Sequence, residues 1–261
     1  MNSSDKPADR SSADVAILCV HKGEIRSFLK RLDRQRSYTE RGLTVRGGFL
    51  GETTRIVVAE AGLGFASHRQ AAHWLVETHR PKWILAVGFS SSLSEQVHAG
   101  DLVLADEIRD THGNIMPVRC TLKPDGRIHV GRTIVADQHP TTASAKKNLC
   151  ESVEALAVDT TSLAVAQICY ERNIRFLSIR GIVDELNEDI PETAAGVILR
   201  SDSRSFGSAL GNLFRGFSAV SELKTWRDRS VAASNHLDRF VIGVIEQIMD
   251  LLERQRLDSS D

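Results

Sequence analysis

Five places in the chain put polar or glycine-rich residues directly after an apolar run. Glu24 follows "VAILCV" after a short turn, and Gly62, Leu63 and Gly64 follow "TRIVVAEA". Gly88 to Ser92 follow "KWILAV", Asp159 to Thr161 follow "ALAV", and Asp184 closes "RFLSIRGIV". Singly, each is most simply a helix cap or a solvated turn. Together they share one topological position, because ligand sites in α/β sheets form from the loops at the carboxyl ends of strands. Carboxylates, hydroxyls and glycine turns gathered there make a candidate small-molecule site. More familiar motifs are incomplete. "GLGFAS" lacks the third glycine of a dinucleotide fingerprint, and "GFSSSL" lacks the closing glycine of a nucleophile elbow. The nine histidines show neither HExxH nor any other paired ligand spacing.

The elements that must position these residues alternate. "DVAILCV" is a continuous apolar run, as a strand buried on both faces should be. "KGEIRSFLKRL" places Ile25, Phe28, Leu29 and Leu32 on one helical face. "LTVRGGFLG" and "TRIVVAEAG" form a hairpin around Gly51 and Glu52. A helix through "RQAAHWLVETH" ends at Pro81, and the strands "KWILAVGF" and "AGDLVLADEI" follow. Residues 110–128 are loop and hairpin, "RTIVAD" is a strand, and "TASAKKNLCES" is a helix capped by Thr141 or Thr142. Residues 155–189 then read as strand, helix, strand and an acidic loop. An amphipathic segment around "FGSALGNLF" and a closing helix, "LDRFVIGVIEQIMDLLERQ", complete the chain. The expectation is a single α/β domain with a central mixed β-sheet flanked by helices, over residues 14–256. Residues 1–13 are expected to form a disordered leader and 257–261 a tail.

At 261 residues the chain suits one large domain, and 41% hydrophobic with 26% charged residues is ordinary for a globular protein. A net charge of -1 gives no reason to expect nucleic acid or an anionic membrane as partner. No run approaches the roughly 18 apolar residues of a membrane span. Among the four cysteines there is no CxxC pair, and Cys19 and Cys169 lie in apolar runs as buried thiols. These features together indicate a cytoplasmic protein.

From Asp14 to Ile190 the chain resembles the purine nucleoside phosphorylase and methylthioadenosine/S-adenosylhomocysteine nucleosidase superfamily. "VAILCVHKGEI" is similar to that family's first strand and its glutamate. The stretch from "AGLGFASHRQ" to "GDLVLADEI" follows the family's glycine turn, helix, strand, small-residue loop and GD-hydrophobic strand. "AVDTTSLAVAQICYERNIRFLSIRGIVDELNED" resembles the "VEMES-AVA…VP…RAISD" block. The short middle region and the polar segment after Asp189 look most like the hopanoid-associated phosphorylase branch.

The resemblance implies cleavage of the N-glycosidic bond of a purine nucleoside or 5′-substituted adenosine, through an oxocarbenium-like sugar. It implies Asp184 as the acid that protonates the leaving base and Glu24 as the base that holds the water. Leu63, Phe89 and Val183 would line base and ribose beside Gly64, and backbone amides around Ser90 and Ser91 would face the nucleophile. The family's Met-Glu pair is Thr160-Thr161 here. Losing that glutamate removes a charge-assisted hydrogen bond to ribose worth about 1.5–3 kcal/mol. Asp159, two residues before Thr161, is placed to take over the contact; alternatively one threonine is only the N-cap of the next helix. No cofactor is implied, with phosphate a co-substrate if the enzyme is a phosphorylase. Arg26, Arg46 and Arg69 are the candidates to bind that phosphate. Hydrolysis is preferred over phosphorolysis, and a catalytically impaired nucleoside-binding or regulatory protein is the further alternative. The family also implies a homodimer or larger homo-oligomer, for which Trp74, Leu75, Phe89 and Ile115 are candidate contacts.

Overall fold

The computed structural model describes residues 11–199 and 221–258. In chain order the strands are β1 (Val15–Cys19), β2 (Asp33–Glu40), β3 (Leu43–Leu50), β4 (Thr54–Glu60), β5 (Trp83–Ser92), β6 (Leu102–Asp110), β7 (Ile115–Pro117), β8 (Ile128–Val135), β9 (Ala157–Asp159) and β10 (Arg175–Asp184). The helices are α1 (Arg26–Leu29), α2 (Phe65–His79), α3 (Ala143–Ser152), α4 (Ser162–Glu171), α5 (Glu192–Leu199) and α6 (Ser221–Asp258). All ten strands join one mixed sheet.

β5 is its spine. It pairs with β1 and β10 in parallel and with β9 antiparallel. On one side the sheet runs outward through β1, β4, β3 and β2. On the other side β10, β6, β8 and β9 lead back to β5, so these five strands close a ring. The alternation of β1 shows why its sequence is apolar throughout. Val15, Ile17 and Cys19 pack with Phe28 of α1 and Leu237, Val241 and Ile245 of α6. Ala16 and Leu18 pack on the opposite face with Ala71, Ala72 and Leu75 of α2 and Val165 and Ile168 of α4. The site therefore rests on strands covered from both sides.

Several boundaries differ from expectation. α1 is a single turn, although Ile25, Phe28, Leu29 and Leu32 are all buried as its pattern requires. β2, with the sequence "DRQRSYTE", has only Tyr38 buried; as an edge strand it carries its charges in water and shows no apolar period. β5 continues through Ser92, so the serines expected in an open loop are strand residues paired to β10 and β9. At the amino-terminal side Ala13 is buried and its N–H donates to the His79 carbonyl, so order begins before residue 14. α6 runs two residues beyond the expected boundary at 256. The segment "FGSALGNLF" lies outside the described residues.

Candidate active site

Glu24 is delivered by the turn that leaves β1. Its Oε2 accepts from the N–H groups of Val20 (2.8 Å) and His21 (3.2 Å), and its Oε1 accepts from the Phe89 N–H at 3.0 Å. The carboxyl is thus tied both to its own turn and to β5. Burial raises it above its ordinary value of 4.5, against the backbone donors and the nearby Arg180 charge. Gly88 makes this approach possible: a Cβ there would lie 2.9 Å from both Glu24 Oε1 and Arg180 Nη1.

Asp184 ends β10, just after a shift in register. Ile182 pairs with Ser90 but Asp184 pairs with Ser91, leaving Val183 as the extra residue of a bulge. A bulge re-aims side chains, and here both Val183 and Asp184 reach one cavity. Asp184 Oδ2 lies 2.5 Å from the ammonium of Lys146, which has no solvent exposure, and Oδ1 accepts from Ser91 Oγ at 2.9 Å. Lys146 also donates to the Glu185 carbonyl. The acidic loop after β10 holds α3, and with it Lys146, in place. Asp189 Oδ1 accepts from the Ala143 N–H at the start of that helix, and the Ile190 N–H donates to Thr141. Thr142 is the N-cap of α3, its hydroxyl accepting from the Ala145 N–H.

The threonine pair sits where β9 turns into α4, and Thr161 is the N-cap residue, but its side chain makes no capping bond and the capping acceptor is the Asp159 carboxylate. Asp159 Oδ1 accepts from the N–H groups of Thr161 (2.6 Å) and Ser162 (2.7 Å), and Oδ2 accepts from Ser162 Oγ. Arg180, from the middle of β10, places Nε 3.3 Å from Asp159 Oδ2 and donates through Nη2 to Thr161 Oγ1. Burial would raise the Asp159 carboxyl, but the Arg180 charge and the donors of Ser162 and Thr161 outweigh it and hold the group below its ordinary range. Asp159 is therefore occupied as a helix cap and as the counter-ion of Arg180. His68 of α2 lies against the same charges, and burial, with Arg180, lowers its imidazole to about 4.

These groups surround one cavity of about 240 Å³. Glu24, Leu63, Gly64, Phe89, Ser90, Asp159, Thr160, Thr161, Val183 and Asp184 all line it, and Ser91 stands directly behind Asp184. Val20, Leu63, Phe89, Val183 and Trp226 give it an apolar wall. Gly64, at φ +100°, starts α2 and has open space where a Cβ would point. Sequence reasoning missed Arg180, His139, Lys146 and Trp226. Arg180 was legible, since it is the arginine of the quoted "RGIVD" stretch. Lys146 had no signal, because a lysine in "ASAKKNLC" reads as a solvated helix charge. The three arginines considered for phosphate lie outside the cavity: Arg26 is exposed, Arg46 pairs with Glu60, and Arg69 engages Gln167 and Glu171. No group of three histidine, cysteine or acidic residues able to hold a metal occurs among the described residues.

Acidic and hydroxyl groups at the carboxyl ends of β1, β5, β9 and β10 thus meet on one cavity, the place where an α/β fold builds a small-molecule site. Residues 14–120 and 119–210 match the profile of the Phosphorylase superfamily, and the chain belongs to that family. The 5′-methylthioadenosine/S-adenosylhomocysteine nucleosidase of Shewanella loihica is 20% identical over 208 residues, covering 68% of this chain and 88% of its own. The fold is shared with the nucleosidase of that name from Helicobacter pylori, crystallised with butyl-thio-DADMe-Immucillin-A (TM-score 0.65, 14% identity, 88% of this chain and 98% of that one). The futalosine hydrolase of Helicobacter pylori has a TM-score of 0.61 at 16% identity, over 76% of this chain and 96% of its own.

Proposed function

We propose that the chain is a nucleosidase that hydrolyses the N-glycosidic bond of a purine nucleoside or a 5′-substituted adenosine. The observation that carries this reading is the meeting of two buried carboxylates from different strand ends, Glu24 and Asp184, on one largely apolar cavity. Glu24 takes a proton from the attacking water as its oxygen bonds to the anomeric carbon, and its raised affinity for protons suits a base working near neutrality. Asp184 passes a proton to the base as the bond to nitrogen breaks. Leu63, Phe89 and Val183 supply apolar surface for the purine and sugar, and Thr160 the polar rim. Water is preferred over phosphate because Arg180 is the only arginine on the cavity among the described residues, and it is already shared by Asp159 and Thr161. The enzyme works without a cofactor, in the cytoplasm. No described helix is long and apolar enough to cross a membrane.

A homodimer or larger closed oligomer belongs to the same proposal. Trp74 and Leu75 are core residues and cannot serve it; Phe65 and Ile115 are exposed and can. Light scattering at micromolar concentration is expected to give at least twice the monomer mass. One observation favours a second reading, binding without cleavage: Asp159 and Thr161, the acceptors that stand in the place of the family's glutamate, are engaged by protein donors. Product analysis of a nucleoside panel decides. Free base with unphosphorylated sugar, at a rate indifferent to phosphate, is expected. Sugar phosphate would establish phosphorolysis, and bound but intact nucleoside would establish the second reading.

A further inference from the structure

Asp184 is approached from behind by groups that binding a base or a sugar does not require. Ser91 Oγ is the link, 2.9 Å from Asp184 Oδ1 and 2.7 Å from His139 Nε2. A serine hydroxyl has one proton to donate. Asp184 Oδ2 faces the Lys146 ammonium, so its carboxylate is the acceptor and the Ser91 proton points to Oδ1. Ser91 Oγ must then accept from His139, which assigns that ring the Nε2–H tautomer and leaves Nδ1 as an acceptor. His139 is half-buried and lines the cavity next to the exposed Asp137 and Gln138, where water reaches it. Burial holds its imidazole below the ordinary 6.5, against the pull of Asp184 and Asp159 and with Lys146 and Arg180 acting in the same direction as burial. A neutral ring is the form with one donor and one acceptor nitrogen, able to take a proton on one side while releasing one on the other.

We propose that the proton leaving with the base comes from solvent through His139 and Ser91, with Asp184 as its last carrier. The inference rests on the hydrolysis proposed above and balances with it. The bond from anomeric carbon to base nitrogen breaks and its electron pair stays on nitrogen. Ser91 gives its proton to the Asp184 carboxylate as His139 gives the Nε2 proton to Ser91, and Asp184 then passes the proton it has received to that nitrogen. His139 regains a proton at Nδ1 from water, and proton exchange with water returns the ring to the Nε2–H tautomer once the product has left the cavity. The proton that Glu24 took from the nucleophilic water returns to solvent, so one proton enters and one leaves per bond cleaved. Lys146 holds the carboxylate from its other side and fixes its position throughout. His139 and Ser91 act through Asp184 and are relay residues.

The test compares Ser91→Ala and His139→Gln with wild type on two substrates. One is a purine nucleoside whose base must be protonated to leave. The other is its N7-methylated analogue, whose base is already cationic. In both variants kcat on the first substrate is expected to fall at least about tenfold more than on the second, with KM moving less than about threefold. His139→Gln lies at the cavity edge and guards against a folding defect in the buried Ser91→Ala. Equal losses on both substrates, or no loss on the first, would overturn the relay while leaving hydrolysis standing. A wild-type protein inactive on both would overturn hydrolysis and the relay together. Separately from turnover, nitrogen NMR of the ligand-free protein is expected to show His139 as the Nε2–H tautomer; the Nδ1–H tautomer would overturn the relay.

Discussion

Asp184 and Lys146 make the mutational logic of the site different from that of a lone acid. A carboxylate at the end of an apolar strand suggests a desolvated acid that Asn could replace without structural cost. A fully buried ammonium 2.5 Å away changes that expectation. Asp184→Asn is expected to lower kcat by about 10²–10⁴-fold. It is also expected to destabilise the fold by about 3 kcal/mol, because an uncompensated charge stays buried. Adding Lys146→Met should recover much of that stability and none of the activity, which urea unfolding and steady-state kinetics separate. Trp226 offers a second test at this scale. Its Nε1 is buried and has no hydrogen-bond partner among the described residues, and its ring lines the cavity. A ligand acceptor that meets it would satisfy the donor. Trp226→Phe is therefore expected to weaken nucleoside binding by about 0.5–1.5 kcal/mol, measured by calorimetry, with little change in the melting temperature of the free protein. Glu24, Asp184, Leu63, Gly64, Phe89 and Val183 were legible because they stand beside glycines and apolar runs. Trp226 was not, since it lies before Leu237, where the apolar period of the closing helix was read to begin, and only the structure extends that helix back to Ser221.

The site depends on how closely β1, β5 and β10 approach at their carboxyl ends. Gly88 is where the site's own side chains come closest to β5, with Glu24 Oε1 and Arg180 Nη1 both 2.9 Å from where its Cβ would stand. Both atoms are the ends of side chains anchored elsewhere, Glu24 by three backbone N–H groups and Arg180 by Asp159 and Thr161. Neither can retreat without losing a partner. Gly88→Ala is therefore expected to cost about 1–3 kcal/mol, seen as a lower denaturation midpoint, and to depress kcat more than it raises KM. A variant with unchanged kcat would mean that the position of Glu24 does not limit turnover. Strands β1, β5, β6 and β10 were readable because they are apolar and flanked by turn residues. The end of β5 was not. "SSS" has the composition of a loop, and only pairing with β9 and β10 makes it strand.

At the scale of the molecule, the closed ring was the least legible feature. It depends on β9, three residues long, and on long-range pairings that leave no local period. The turn entering β6 helps hold the ring together, and Asp101 is at its centre. The Gly100 N–H donates to Ile182, and the Ile182 N–H donates to the Asp101 carbonyl, which fastens β10 to β6. The Asp101 carboxylate accepts from the His98 N–H (3.0 Å), from Arg127 Nε (2.8 Å) and from His129 Nε2 (3.0 Å), the last from β8. Burial alone would raise this carboxyl, but those donors outweigh it and hold it below its ordinary 3.8. A carboxyl that binds protons more weakly folded than unfolded stabilises the native state while it is ionised. Its contribution is complete above 3.8 and is lost as pH falls through the lower folded value. Asp101→Asn is expected to cost about 1–2 kcal/mol at neutral pH, the small size reflecting the exposure of the Arg127 partner. Urea unfolding across an acid-to-neutral series should show the two proteins converging only below 3.8. A gap that stays constant into acid would assign the loss to the hydrogen-bonding shape of the turn and not to the charge of Asp101.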